Sequence, residues 1–483
     1  MTGRQAIRIG NCSGAAGDGP DQIYRLATEA EVEAAQKAGT AEQFPHLDID
    51  GQGLSASENR VVSANAWHGW SDMDYDGLAG GLIAGHLTEC GPYTIGGNFW
   101  GFKSIPNAFR VGYLIVEVYD DGSSVITMHP GSNGAVSVDT VKAQLVYEIQ
   151  GPNYLNPDVV AHPEDTRIDQ DTTKRVRETS VKGGRPPPTT KLAVCGFGGY
   201  QAEMCTFAVG PDIKEKVELQ RKQILDYLDQ SLFSTIAIDA YGSVPEDPKS
   251  QKEAAVMIRH FVQAPTKEAI GHFTEAFMFC AMQDHGGFHP NIDLRTLVPK
   301  PYIQYFPARF QQSALKMKAH VEGQPPIEVE PVPKTALFAG QSFYETTDPA
   351  NLQSFGPTRR ALLCMIDPRL PLVRSIVLAR SGDKGGNVNA RHWVRNEDEW
   401  DQLRTFFSTQ CFKKLLGDDY QPEYGVERFE LPHLHAVHFV TYGIIQEDVS
   451  RSSIIDGFTE SFGEFVRARQ VEIPVQFLER PWL

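Results

Sequence analysis

The alternation of apolar and polar positions predicts mixed helix and strand along most of the chain. AIRIG (6–10) has the length and character of a strand. The glycine-rich NCSGAAGDGP follows, and then DQIYRLATEAEVEAAQKAG, which predicts a helix with Asp21 near its start. Residues 39–66 show little periodicity and read as irregular. In YDGLAGGLIAGHLTEC, Leu78 with Leu82 and Ile83 with Leu87 stand four apart, the spacing of a helix. GYLIVEVYDDGSSVITMHP predicts a hairpin turning at Asp120-Asp121-Gly122. GSNGAVSVDTVKAQLVYEIQ reads as loop, helix, loop, and residues 165–182 as short strands.

Residues 191–306 give the clearest run: strand 191–210, amphipathic helix 213–232, strands 234–242 and 254–264, helix 265–284 and strand 301–307. That order, β-α-β-β-α-β, is the ferredoxin-like one. A proline-rich, unperiodic stretch over 321–371 reads as a linker. The same order then repeats: LVRSIVLA (372–379) as a strand, a helix capped by Asn396, strands in VERFELP and HLHAVHFVTYGII, a helix in GFTESFGEFVRAR and a last strand in QVEIPVQFL. The expected fold class is α/β (α+β). The expected division is a region 1–320 (a glycine-rich part to 190, a ferredoxin-like part 191–320), the linker 321–371 and a ferredoxin-like domain 372–483.

With 41% hydrophobic and 22% charged residues, the 483-residue chain has the profile of a globular protein with sizeable cores. Its net charge of −16 argues against nucleic acid or an anionic membrane as the main partner. The seven cysteines are scattered, without a CxxC pair, which disfavours a disulfide framework or a cysteine-rich zinc module. No signal segment or membrane span is read, so a cytoplasmic location is expected.

Four stretches carry candidate chemistry. ARSGDKGGNVNA (379–390) places Arg380, Ser381, Asp383, Lys384 and Asn389 among three glycines after an apolar run, and reads as a loop at a strand's carboxyl end that binds an anion. Its competing reading is a solvated charged turn. His86 and Glu89, three apart on a helix, could act together in proton transfer or hold a metal, and Cys90 is adjacent. No metal site is favoured. The loop residues Asn11, Ser13, Gly14, Gly17 and Asp18, and Gly131 with Asn133 before a second helix, could present backbone N–H groups to an anion. Asp284, His285 and His289 are better explained by a helix end at Gly286 than by a metal site, and His433, His435 and His438 do not share one strand face.

Taken together, RIGNCSGAAGD, WHGWSDMDYDGLAGGLIAGHLTECGPYTIGGNFWGF, HPGSNGAVSVDTVKAQLVYEIQGPNYLNPDVVA, RPPPTTKLAVCGFGGYQAE and ARSGDKGGNVNA with ELPHL resemble the acyclic terpene utilisation proteins related to AtuA, in a fungal-type version. The resemblance implies an α/β N-terminal region and a ferredoxin-like C-terminal domain. It also implies metabolism of acyclic terpenoids through CoA thioesters, with lyase or hydratase chemistry under consideration. No cofactor is expected, and a CoA thioester is the expected kind of substrate. The expected partner is a small molecule, with a homo-oligomer left open. The sequence departs from the family in having the short 39–66 where a longer α/β segment is usual, and GYLIVEVYDDG lacks a proline usual there. A non-catalytic accessory or degenerate protein is therefore the alternative.

Overall fold

The computed structural model describes residues 7–10, 67–330 apart from 106, 150 and 322, then 334–337, 356–363 and 376–479 apart from 447. The helix read at 21–39, the irregular 39–66 and the candidate residues Asn11, Ser13, Gly14, Gly17 and Asp18 lie outside them. Every described strand pair is antiparallel.

The N-terminal unit holds strand β1 (Ile7–Gly10), helices α1 (Tyr75–Glu89) and α2 (Gly91–Thr94), the hairpin β2 (Leu114–Val118) and β3 (Ser124–Met128), and helix α3 (Val138–Leu145). Five short strands follow: β4 (Tyr154–Leu155), β5 (Val160–His162), β6 (Arg167–Thr172), β7 (Arg175–Thr179) and β8 (Lys182–Gly184). One sheet runs β1-β2-β3-β7-β6 and a second β4-β5-β8. α1 packs against β2, β5 and β8 between them. It is apolar all round because it is covered all round: every residue from Gly77 to Thr88 is buried. Its glycines let backbone meet backbone. A Cβ on Gly80 would lie 2.0 Å from the carbonyl oxygen of Gly122, in the turn of the predicted hairpin. Neither backbone can yield, so Gly80→Ala should cost about 3 kcal/mol of stability in urea unfolding.

The middle unit is β9 (Thr189–Val209), α4 (Ile213–Tyr227), β10 (Thr235–Tyr241), β11 (Ala255–Ala264), α5 (Lys267–Cys280), β12 (His289–Pro290) and β13 (Lys300–Gln311). This is the element order read from the sequence, with a two-residue strand added. β10, β11 and β9 run side by side, and β12 and β13 share the far edge of β9. α4 and α5 cover one face, over Ala202, Met204, Ile258 and Val262. Beyond it lies a small pair, β14 (Met317–Ala319) with β15 (Ile327–Val329), the second strand inside the stretch read as a linker.

The C-terminal unit differs from expectation at its start. β16 (Thr358–Leu362) is followed by a tight hairpin, β17 (Leu378–Lys384) and β18 (Asn387–Trp393). The stretch read as a loop, ARSGDKGGNVNA, is this hairpin. Lys384 pairs with Asn387 across a two-residue turn in which Gly385 takes a positive φ of 64°. The single helix read over 396–417 is two, α6 (Glu397–Phe406) and α7 (Thr409–Leu416), the second capped by the Ser408 hydroxyl. Asn396 precedes α6 as expected, its N–H donating to Glu399 Oε2 at 3.3 Å. β19 (Val426–Leu431), β20 (Ala436–Thr441), α8 (Phe462–Arg467) and β21 (Gln470–Pro474) complete it. The sheet order is β17-β18-β20-β19, while β21 pairs with β16 instead. The ferredoxin-like four-stranded sheet therefore takes its outer strand from the hairpin.

This sheet has two buried faces. Ala390, Val437 and Phe439 pack under the helices. On the other face Leu378, Trp393, Leu431 and Ala436 join the core of the N-terminal unit. Polar residues between those apolar anchors are thereby trapped at the junction.

Candidate functional site

Strand alternation divides the hairpin's polar residues between the two faces. Arg380, Gly382 and Lys384 share the junction face with Asn387, Asn389 and Arg391, their cross-strand partners. Ser381 and Asp383 face the other way. Arg380, Ser381, Asn389 and Arg391 are all nearly or fully buried. A solvated turn would not bury them, so that competing reading is excluded.

Arg380 is held as a structural clamp. Its guanidinium lies 4.3 Å from the Tyr93 ring centre and 4.4 Å from that of Tyr147. Nη1 donates to the Asn98 carbonyl at 2.9 Å, and Nη2 pairs with Glu460 at 3.2 Å. Glu460 also accepts from the Tyr147 hydroxyl at 2.7 Å and from Asn98 Nδ2 at 2.8 Å. Ser381 is likewise committed. Its hydroxyl donates to the Thr459 carbonyl at 2.6 Å and accepts from the Gly463 N–H at 2.8 Å.

Lys384 behaves differently. Its ammonium donates to Glu148, and both side chains keep about a third of their surface, 33% and 29%. Burial alone would raise the pKa of Glu148, but the Lys384 charge outweighs it and holds the carboxyl below its ordinary value. Asp383 moves the other way. Burial, reinforced by the Glu148 charge, lifts it from 3.8 to about 6. β17 is the edge strand of its sheet, so a ligand lying along it reaches groups on both faces. Exposed Lys191 is close enough to Lys384, Glu148 and Asp383 to interact with them electrostatically. Glu148→Gln should therefore lower the pKa of Asp383 below about 6, because it removes a negative neighbour, while burial, the larger cause, still holds it above 3.8. Carboxyl-carbon NMR titration checks this.

Beneath the rim lie groups the sequence did not single out. The Glu148 N–H donates to Asn389 Oδ1 at 3.1 Å, leaving the buried Asn389 Nδ2 without a partner among the described residues. Arg391 is fully buried, and donates to His438 Nδ1 at 2.7 Å and to the Gly151 carbonyl at 2.8 Å. Its Nη1 has no described partner, and burial lowers its pKa to about 9. Burial and the Arg391 charge keep His438 well below its ordinary pKa, hence neutral. Glu148 adopts a left-handed φ of 56°, as do Asn98 at 43° and Thr459 at 54°. Strained backbone at three contact points of one cluster is what over-determined sites display. Gly382 makes room for it, since a Cβ there would lie 2.7 Å from Tyr147 and 2.9 Å from Glu148.

The pairing of His86 with Glu89 is corrected. His86 is buried and its Nε2 is bonded to the Gln144 carbonyl at 2.9 Å, whereas Glu89 is exposed. Because α1 is buried over nearly its whole circumference, three residues of helix carry the chain from core to surface. Burial lowers the His86 pKa to about 4, so it is neutral near pH 7, and its Nδ1 lacks a described partner. Burial, with the Glu89 charge, pushes the Cys90 thiol up to about 12, unlike an activated nucleophile. Gly131 and Asn133 sit in a separate turn: Asn133 bonds Asn107 and the Arg110 carbonyl rather than the cluster. Among the described residues no group of three His, Cys, Asp or Glu could hold a metal ion.

The site therefore joins Lys384, Asp383, Asn389 and Arg391 of the hairpin to Tyr147 and Glu148 from the N-terminal unit. The model of the acyclic terpene utilisation family protein AtuA matches residues 59–321. That of the AtuA ferredoxin-like domain matches residues 371–472. The first covers more than half of the chain, and the chain belongs to the AtuA family. No curated protein and no solved structure matches it. No helix among the described residues is long and apolar enough to cross a membrane.

Proposed function

We propose that the protein acts in acyclic terpene utilisation on a small acyl-CoA thioester or carboxylate, by lyase- or hydratase-type chemistry. Family membership supports the terpenoid role. The observation that carries the chemical reading is the half-exposed Lys384–Glu148 pair beside Asp383, whose carboxyl titrates at about 6. Lys384 takes the anionic or carbonyl oxygen in exchange for Glu148, with the Asn389 amide and the Arg391 charge beneath it. Asp383 moves the proton, since a general acid or base works best with a pKa near the operating pH. His86, a neutral buried group, shapes the floor and does not carry the proton.

A thermal-shift screen of acyl-CoAs against free acids tests this. Specific binding raises the melting temperature of wild-type protein and not of Lys384→Ala. A second reading, a non-catalytic accessory protein, is favoured by Arg380 and Ser381, whose polar groups are spent in joining the units. It predicts binding without turnover.

A further inference from the structure

The helix-free face of the middle sheet is partly capped by residues 448–458 of the C-terminal unit, and a cavity of about 250 Å³ remains between them. Its floor carries Arg259, whose side chain is only 10% exposed. The guanidinium lies 4.6 Å from the centre of the Phe261 ring. Nε donates to Glu203 at 2.8 Å and Nη1 to the Ser453 carbonyl at 2.5 Å. An arginine has five N–H groups, so these partners leave donors over. Lys300, exposed and paired in register with Gln201, brings a second cation to the wall. Among the residues lining the cavity two cations face one carboxylate, Glu203, which Arg259 already neutralises, and Asp239, the cross-strand partner of Arg259, stands outside the lining.

The rim has the opposite character. Val449, Ile455 and Phe458 expose 41%, 52% and 59% of their surface within ten residues of chain. Large apolar side chains gathered beside a buried cation have no folding reason to be left open, and such patches mark binding surfaces. We infer that this cavity is a second ligand site, distinct from the Lys384 site, that binds a small amphipathic carboxylate. Its head group docks on Arg259 and Lys300, and its apolar chain lies against Ile455 and Phe458. The two sites have no side chain in common.

Isothermal titration of the full chain with hexanoate, octanoate, decanol and acetate tests the assignment. Octanoate is expected to bind more tightly than hexanoate, and acetate and decanol at least ~10-fold more weakly than octanoate. Lys300→Glu and Ile455→Asp both alter exposed positions, so folding is not at stake. Each should weaken octanoate at the Arg259 site at least ~5-fold, while Lys384→Ala leaves that component of the isotherm unchanged and removes only octanoate held at the Lys384 site. Octanoate affinity that is undetectable, equal to that of decanol, or insensitive to Lys300→Glu and Ile455→Asp overturns the proposal. So does loss of all octanoate binding in Lys384→Ala, which would place the ligand in the other site.

Discussion

Asp383→Asn is expected to lower turnover of the acyl substrate by ~10²- to 10⁴-fold with little change in its affinity, because it removes the proton carrier and leaves Lys384 in place. The rate of the wild type should depend on a group titrating near 6, and that dependence should vanish in the variant. The same substitution has a signature in stability. The Asp383 carboxyl is raised in the folded state, so its contribution is fully present below the unfolded pKa of 3.8 and is lost as pH rises through about 6. Asparagine never ionises. The variant should therefore gain on the wild type between pH 4 and pH 8. The full shift would correspond to about 3 kcal/mol, and partial exposure reduces it to about 1–2 kcal/mol. Urea unfolding at pH 4 and pH 8 measures it. A rate loss without this pH-dependent gain would mean that Asp383 is ionised throughout and acts as a fixed charge.

Ser381→Ala should destabilise the junction that holds the hairpin. The hydroxyl is buried, donates to the Thr459 carbonyl and accepts from the Gly463 N–H. Its removal orphans the buried Gly463 N–H, while the Thr459 carbonyl keeps the Phe462 N–H at 3.3 Å, so a loss of about 1–3 kcal/mol follows. Thermal and urea unfolding report it, and Ser381→Thr, which keeps the hydroxyl, should recover part of the loss. The same bond holds β17 to the segment carrying Glu460, which pairs with Arg380. Ser381 was expected to bind the anion. The structure gives it the task of fixing strand β17 to the segment 459–463 instead.

The parts of the fold legible in the sequence are those where polarity follows exposure. The Asp120-Asp121-Gly122 turn and the alternation over 191–306 show because one face of each strand meets a core and turn residues punctuate it. The 379–390 hairpin broke that rule. Its residues read as loop because Arg380, Ser381 and Asn389 are polar, yet they are buried at a junction between units rather than on a surface. Polar strands of this kind are where local reasoning fails and function concentrates. Lys384 and Asp383 were identifiable from residue type, but their partners were not. Glu148 lies 236 residues from Lys384, and Tyr147 lies 313 from Glu460. No local pattern links such positions. The His86–Glu89 reading failed for a related reason: i, i+3 spacing shows which residues share a helix face and not which of them the core covers.

If Lys384, released from Glu148, receives the substrate's anionic or carbonyl oxygen, removing its ammonium must weaken binding. Isothermal titration of wild-type protein and Lys384→Ala with the acyl-CoA that raises the melting temperature most tests it directly. A charge-assisted bond of about 1.5–3 kcal/mol predicts an affinity at least ~10-fold weaker in the variant. Equal affinity in the two proteins would contradict the account.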